Sequence, residues 1–139
     1  MRKFYRLSCI IAACLLLLSC SSKEQVEAVK AGIAHFREQM AAKQFDRTYA
    51  ESSDGMKQVT TSDALTKFLA AIDRKLGLAK SEKERSWSVS YGTGGTTVAY
   101  GVETQYERGS ALETFYFAIV GGKAILNGYH IESKELILN

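Results

Sequence analysis

The sequence contains no proline, one tryptophan, two histidines and three cysteines. Each scarcity excludes something. Without proline, no helix is broken by one and no polyproline segment can form. The three cysteines, Cys9, Cys14 and Cys20, all fall within the first twenty residues. Beyond them no thiol is left for a disulfide, a thiolate nucleophile or a cysteine metal ligand. His35 and His130 each lack a second histidine or paired acid at ligand spacing, so they read as structural or surface histidines and no metal or cofactor is expected. Charge of one sign is missing too. Without Arg2, Lys3 and Arg6, the 18 basic side chains fall to 15 and match the 15 acidic ones. A neutral domain with interspersed charges gives no electrostatic ground for nucleic acid or for an anionic membrane surface. No repeat or low-complexity tract follows Cys20.

What is present begins at the first residues. Arg2, Lys3 and Arg6 carry no acid among them, and from Leu7 to Leu18 every residue except Ser8 is apolar. Cations followed by an apolar run form the pattern of a secretory signal. At about 1.5 Å per helical residue the run covers roughly 18 Å, short of the roughly 30 Å of a bilayer core. Its end, Leu17-Leu18-Ser19-Cys20, resembles the lipobox of bacterial lipoprotein precursors, with Leu18 bulkier than the usual residue there. That resemblance implies diacylglycerol on the sulfur of Cys20, cleavage between Ser19 and Cys20, and further acylation of the new N-terminus. Ile11-Ala12-Ala13-Cys14 matches as well locally, but cleavage there would shorten the apolar run and strand Leu15–Leu18 on the mature chain. Two or more acyl chains make a stable anchor where one does not. The organisation expected is a signal peptide over residues 1–19 and one globular domain over residues 20–139. That domain is held on a membrane through Cys20, at the periplasmic face. Ser21 is not the aspartate that retains some lipoproteins at the inner membrane, so the outer membrane is expected in a cell with two.

After Cys20 the hydrophobic period is first helical and then strand-like. Val26, Val29, Ile33, Phe36 and Met40 recur at spacings of three and four, a single apolar stripe. Ser21 or Ser22 is placed to cap this helix, with Glu24 or Gln25 closing a capping box. The helix thus begins almost at the lipid, with no flexible tether between them. A short helix is expected over Phe45–Ala50, then a loop through Ser52-Ser53-Asp54-Gly55. A further helix is capped by Thr61 or Ser62, has Leu65, Phe68, Leu69, Ile72 and Leu76 as its apolar face, and ends at Gly77. Lys80–Arg85 alternates in sign and reads as a solvated connector. From Arg85 the period is two. Trp87, Val89 and Tyr91 form one run, and Val98 through Tyr106 the next. Phe115, Phe117 and Ile119 follow, and Ile125, Tyr129 and Ile131 complete the set. Glycine-bearing turns separate the runs, which predicts a four-stranded antiparallel meander with helices on one face, an α+β domain.

This order resembles the cystatin-like cone of the nuclear transport factor two superfamily, as does the ending Glu113-Thr114-Phe115, Gly122-Lys123-Ala124 and Leu126-Asn127-Gly128-Tyr129-His130-Ile131. More narrowly it is similar to small secreted or lipid-anchored bacterial members of unknown function, which also pair a Leu-Gly helix end, here Leu76-Gly77, with a final Gly-Tyr strand. The tryptophan such members lead one to expect in the last strand is absent, and Ala124 and Ile125 stand near its place. Enzymes, carriers and interaction modules share the superfamily, so the resemblance implies a fold and not an activity.

No catalytic set is evident. A Gly-x-Ser-x-Gly elbow is missing, and Gly92-x-Gly94-Gly95 joins two strands instead of opening a helix that could hold phosphate. Some cone-fold enzymes place a carboxylate base and a tyrosine in an apolar mouth, where desolvation tunes them for proton transfer. The candidates here are Glu113, which shares parity with Phe115 and Phe117, and a phenol from Tyr49, Tyr91, Tyr100, Tyr106, Tyr116 or Tyr129, with Tyr100 put first. Glu103 alternates toward solvent. Trp87, Phe115 and Phe117 are expected in the core. Tyr116 and Val120 stand on the opposite parity, so the second sheet face is a candidate surface for a homodimer or protein partner. The leading expectation is a lipid-anchored, non-catalytic module for protein interaction or for an unspecified small ligand. A proton-transfer enzyme using Glu113 and a tyrosine, and a periplasmic inhibitor, are the alternatives.

Overall fold

Helices precede strands along the chain, as the change of hydrophobic period requires. The computed structural model describes the backbone of residues 2–138 and the side chains of residues 22–138. Its elements are α1 (Arg2–Ala41), α2 (Phe45–Ala50), α3 (Asp54–Val59), α4 (Ser62–Leu76), β1 (Ala79–Gly92), β2 (Gly95–Tyr106), β3 (Gly109–Val120), β4 (Lys123–Glu132) and α5 (Lys134–Leu138). The strands form one antiparallel sheet in the order β1-β2-β3-β4. This is the expected α+β meander. Among the described residues, no helix is long and apolar enough to cross a membrane.

The apolar stripes meet in a single core. Val29, Ile33, Phe36 and Met40 of α1, and Leu65, Leu69, Ile72 and Leu76 of α4, bury against Val98, Tyr100 and Val102 of β2 and Phe115 and Phe117 of β3. Aromatic rings close its centre. Phe36 meets Phe115 edge-on at 5.2 Å, and Tyr129 lies 5.0 Å from Phe115. Gly32 lets α1 come close, because a Cβ there would sit 2.8 Å from the Phe117 ring. The Thr61 hydroxyl caps α4 by accepting from the Ala64 amide, and Gly77 ends it at φ +77°.

Several local expectations are corrected. α1 runs unbroken through Ser21 and Ser22, so no helix start or capping box stands there. The Ser52–Gly55 loop is shorter than expected, because the Ser53 hydroxyl caps α3 by accepting from the Met56 amide. Lys80–Arg85 is not a connector but the first half of β1. Arg85 pairs outward with Glu103 at 2.6 Å, whereas Glu82 turns to Arg37 and Glu84 to Tyr100, and charge along this edge strand also deters edge-to-edge association. Trp87 is 46% exposed and not core, since β1 lies beyond most of the helical cover. In β4 a bulge sets Tyr116 opposite Gly128 and Phe117 opposite Leu126. The bulge reverses parity, so Leu126 and not Ile125 reaches the core.

Candidate functional site

The fold holds two polar clusters, one inside the cone and one at its side. The interior cluster is assembled from every strand and from α1. Alternation along β2 sends Thr104 and Tyr106 inward, β3 sends Glu113, β4 sends Tyr129, and α1 contributes Arg37 from the border of its apolar stripe. Arg37 grips Glu113 with both ends of its fork, Nη1 to Oε1 at 3.0 Å and Nη2 to Oε2 at 2.6 Å. Tyr106 donates to Oε1 at 2.7 Å, Thr104 donates to Oε2 at 2.5 Å, and the Tyr129 hydroxyl donates to Oε1 as well. Arg37 also reaches Glu82 of β1 at 3.0 Å. Among the described residues, no buried side-chain nitrogen or oxygen lacks a partner.

The electrostatics follow from that enclosure. Burial works to raise the Glu113 carboxyl, but the hydrogen bonds and charge of Arg37, with the Thr104 and Tyr129 hydroxyls, outweigh it and hold the group below the ordinary carboxylate range. Burial likewise works against the Arg37 charge, and Glu113 outweighs it, so the guanidinium is held still more firmly protonated. Desolvation, reinforced by Glu113, pushes both Tyr106 and Tyr129 upward. A pocket of about 280 Å³ between α1 and the start of β1 is lined by Arg37 and Tyr106, but Glu113 and Tyr129 do not line it.

The residues singled out from the sequence are thereby distributed. Glu113 is buried on the core parity, beside phenols, but those phenols belong to Tyr106 and Tyr129. Tyr100 instead donates to Glu84, and burial, aided by that carboxylate, raises its pKa. Glu103 faces outward toward Arg85. The lipidation and cleavage positions, Cys20 and Ser19, lie outside the residues whose side chains are described. His130 contacts Glu132 at 3.0 Å on the surface. Among the described residues, no group of three or more His, Cys, Asp or Glu could hold a metal ion. Arg37 is not among the sequence candidates, although an inward-facing glutamate demands a cationic or donor-rich partner, and that is the available signal.

The second cluster lies at the side of α1. A groove of about 580 Å³ runs between α1 and β4, reaching α2. Its floor is made by residues with little side chain, Ala28, Ala31, Gly32 and Ala124, with Phe36 and Phe117 beneath. One end is polar. His35 Nε2 lies 2.6 Å from Glu51, Gln39 donates to the same Glu51 oxygen at 2.8 Å, and Thr48 donates to Gln39 at 2.9 Å. The bond from His35, then that from Arg47, holds the Glu51 carboxyl below its ordinary range. Gln39 and Thr48 are buried, whereas His35 and Glu51 are half in water.

Comparison with known proteins bears on the fold. No protein-family model matches the chain, and no curated protein matches it in sequence. Among solved structures the chain is similar to Aln2 from a Streptomyces species, with a TM-score of 0.51 and 15% identity over 81% of this chain and 93% of that one. At that identity the likeness shows the architecture alone: helices followed by a four-stranded meander, a cone-like α+β domain shared with Aln2.

Proposed function

We propose that the chain is a cell-envelope protein anchored through lipid on Cys20, whose cone-like domain works without catalysis as a binding module for a small, largely apolar molecule. The groove beside α1 carries this reading. Its volume of about 580 Å³ falls in the roughly 300–1,000 Å³ range of small-molecule sites, which are mainly apolar with a few placed polar groups. The His35–Glu51–Gln39 end supplies those groups. The groove also opens beside Ala124 and Ile125, where members of the resembled family lead one to expect a tryptophan. A side chain of that size would occupy much of the space.

The proton-transfer alternative finds less support. A carboxylate base works when desolvation lifts its pKa toward the working pH and a substrate can touch it. Glu113 is held low by Arg37 and lies apart from the pocket nearest to it. Its hydrogen bonds are those of an internal brace.

One experiment tests both parts of the proposal. The full chain is expressed in a bacterium, taken from the membrane fraction in mild detergent, and weighed first unfolded and then under native conditions. The unfolded mass is expected to correspond to a chain beginning at Cys20 plus diacylglycerol and acyl groups. The native mass is expected to carry a further non-covalent adduct, absent in an Ala31→Trp variant that fills the groove. An unmodified cysteine would sink the anchor. A bare domain, or an adduct indifferent to Ala31→Trp, would sink the ligand site.

A further inference from the structure

The groove and the interior cluster leave one end of the molecule unexplained. Thr96 of β2 pairs with Tyr91 on one side and with Ile119 on the other, so the β1–β2 and β3–β4 turns lie at the same end of the sheet. The stretch of α1 around Gln25 comes to that end as well, where the Tyr91 hydroxyl donates to Gln25 at 3.4 Å. Here large apolar side chains stand in water: Tyr91 is 69% exposed and Val120 63%. Among the described residues, nothing packs on the turn glycines. A Cβ built at Gly92, Gly94, Gly95, Gly121 or Gly122 would meet no atom within 4 Å.

We infer that this end is a membrane-contact face, with Tyr91, Val120 and the two glycine-bearing turns seated at the headgroup level of a bilayer. The inference rests on the anchoring reading and extends it from the lipid to the domain. The occupant is identified by the chain that precedes Ser22. The lipid proposed for Cys20 lies two residues before Ser22, and α1 runs through both without a break. Cys20 is therefore only about 3 Å along the helix axis from Ser22. The bilayer surface that holds a lipid on Cys20 then lies at the level of the turns. Tyrosine suits that depth, because its ring is apolar and its hydroxyl prefers water. The charges nearby nearly balance, since Lys30 pairs with Glu27 at 3.3 Å and exposed Lys23 and Lys123 stand with Glu24. The contact is thus aromatic and apolar in kind, and salt has little hold on it. Ile137 and Leu138 are also exposed, but α5 packs beside Gly109 and Lys75 at the opposite end of the sheet.

The chain's single tryptophan makes the test direct. In a Trp87→Phe background, one reporter is placed by Tyr91→Trp and another by Ile137→Trp, both at exposed positions. Each variant is expressed from the full chain, and its lipidated product is reconstituted into phosphatidylethanolamine–phosphatidylglycerol vesicles containing brominated acyl chains and then floated on a density gradient. The expected result is flotation of both, with emission at position 91 shifted to the blue and quenched by about half, and emission at position 137 unchanged. Flotation with neither reporter quenched, or with position 137 quenched instead, overturns the contact face and leaves the anchor standing. Failure of a properly expressed chain to float overturns the anchor, and the face with it.

Discussion

Arg37 with Glu113, and Arg47 with Glu51, are both arginine–glutamate pairs drawn to 2.6 Å, and the fold treats them in opposite ways. In the first the side chains are 17% and 0% exposed; in the second they are 55% and 40% exposed. The inner pair has exchanged water for fixed donors on two strands, β2 and β4, so losing either member strands a charge in the core. The outer pair keeps its water and can trade partners. The comparison separates a polar group that specifies the cone from one that remains available to a visitor. Both lie on or against α1, whose inner flank carries Arg37 and whose outer flank carries His35 and Gln39.

The sharpest way to break this comparison is to remove the inner cation. Arg37→Met should cost roughly 3–5 kcal/mol in denaturant unfolding, because Glu113 is left buried and unpaired. Replacing both partners, Arg37→Met with Glu113→Leu, should recover at least about half of that loss. Equal losses in the single and double variants would show that the pair is not the source of the cost. Acid offers a second and smaller effect. The Glu113 carboxyl is depressed on folding, so its stabilisation is present above the unfolded value, about 4.3, and is lost as pH falls through the lower folded value. Unfolding midpoints followed from about pH 6 down to about pH 2 should therefore fall less steeply for Glu113→Gln than for the parent. Parallel curves would mean that this carboxylate does not carry the acid sensitivity. The smallest change is expected outside. Arg47→Met should move stability by less than about 1 kcal/mol, the ordinary worth of an exposed pair. A loss there as large as at Arg37 would erase the distinction between the two clusters.

Much of the architecture is legible in the sequence because burial imposes periodicity. The stripes of α1 and α4, the Thr61 cap, the Gly77 stop and the order of the strands follow from residue spacing. Glu113 is readable as inward for the same reason, being two positions from Phe115. What escapes is whatever depends on register. The irregularity between Glu84 and Ser86 turns Glu84 toward Tyr100, and nothing local announces it. The β4 bulge exchanges Ile125 for Leu126, although Asn127-Gly128 is the sort of dipeptide that permits one. The first half of β1 reads as a connector because an edge strand tolerates charge on every residue. Arg37 is invisible as a partner because a cation on the flank of a helical stripe resembles any solvated arginine until the sheet behind it is known.

The unbroken course of α1 has a consequence for supply. On the anchoring proposed for Cys20, a helix set upright on a bilayer would carry Ala28 about 12 Å and His35 about 22 Å above the proposed lipid attachment. The groove between those residues would then sample the layer of solvent bordering the membrane and little of the open periplasm. Apolar molecules are enriched there by partition from the lipid phase, so capture of the proposed ligand would become a search in a thin sheet. A modest affinity would suffice in that layer for occupancy that a freely diffusing copy of the same domain could not reach.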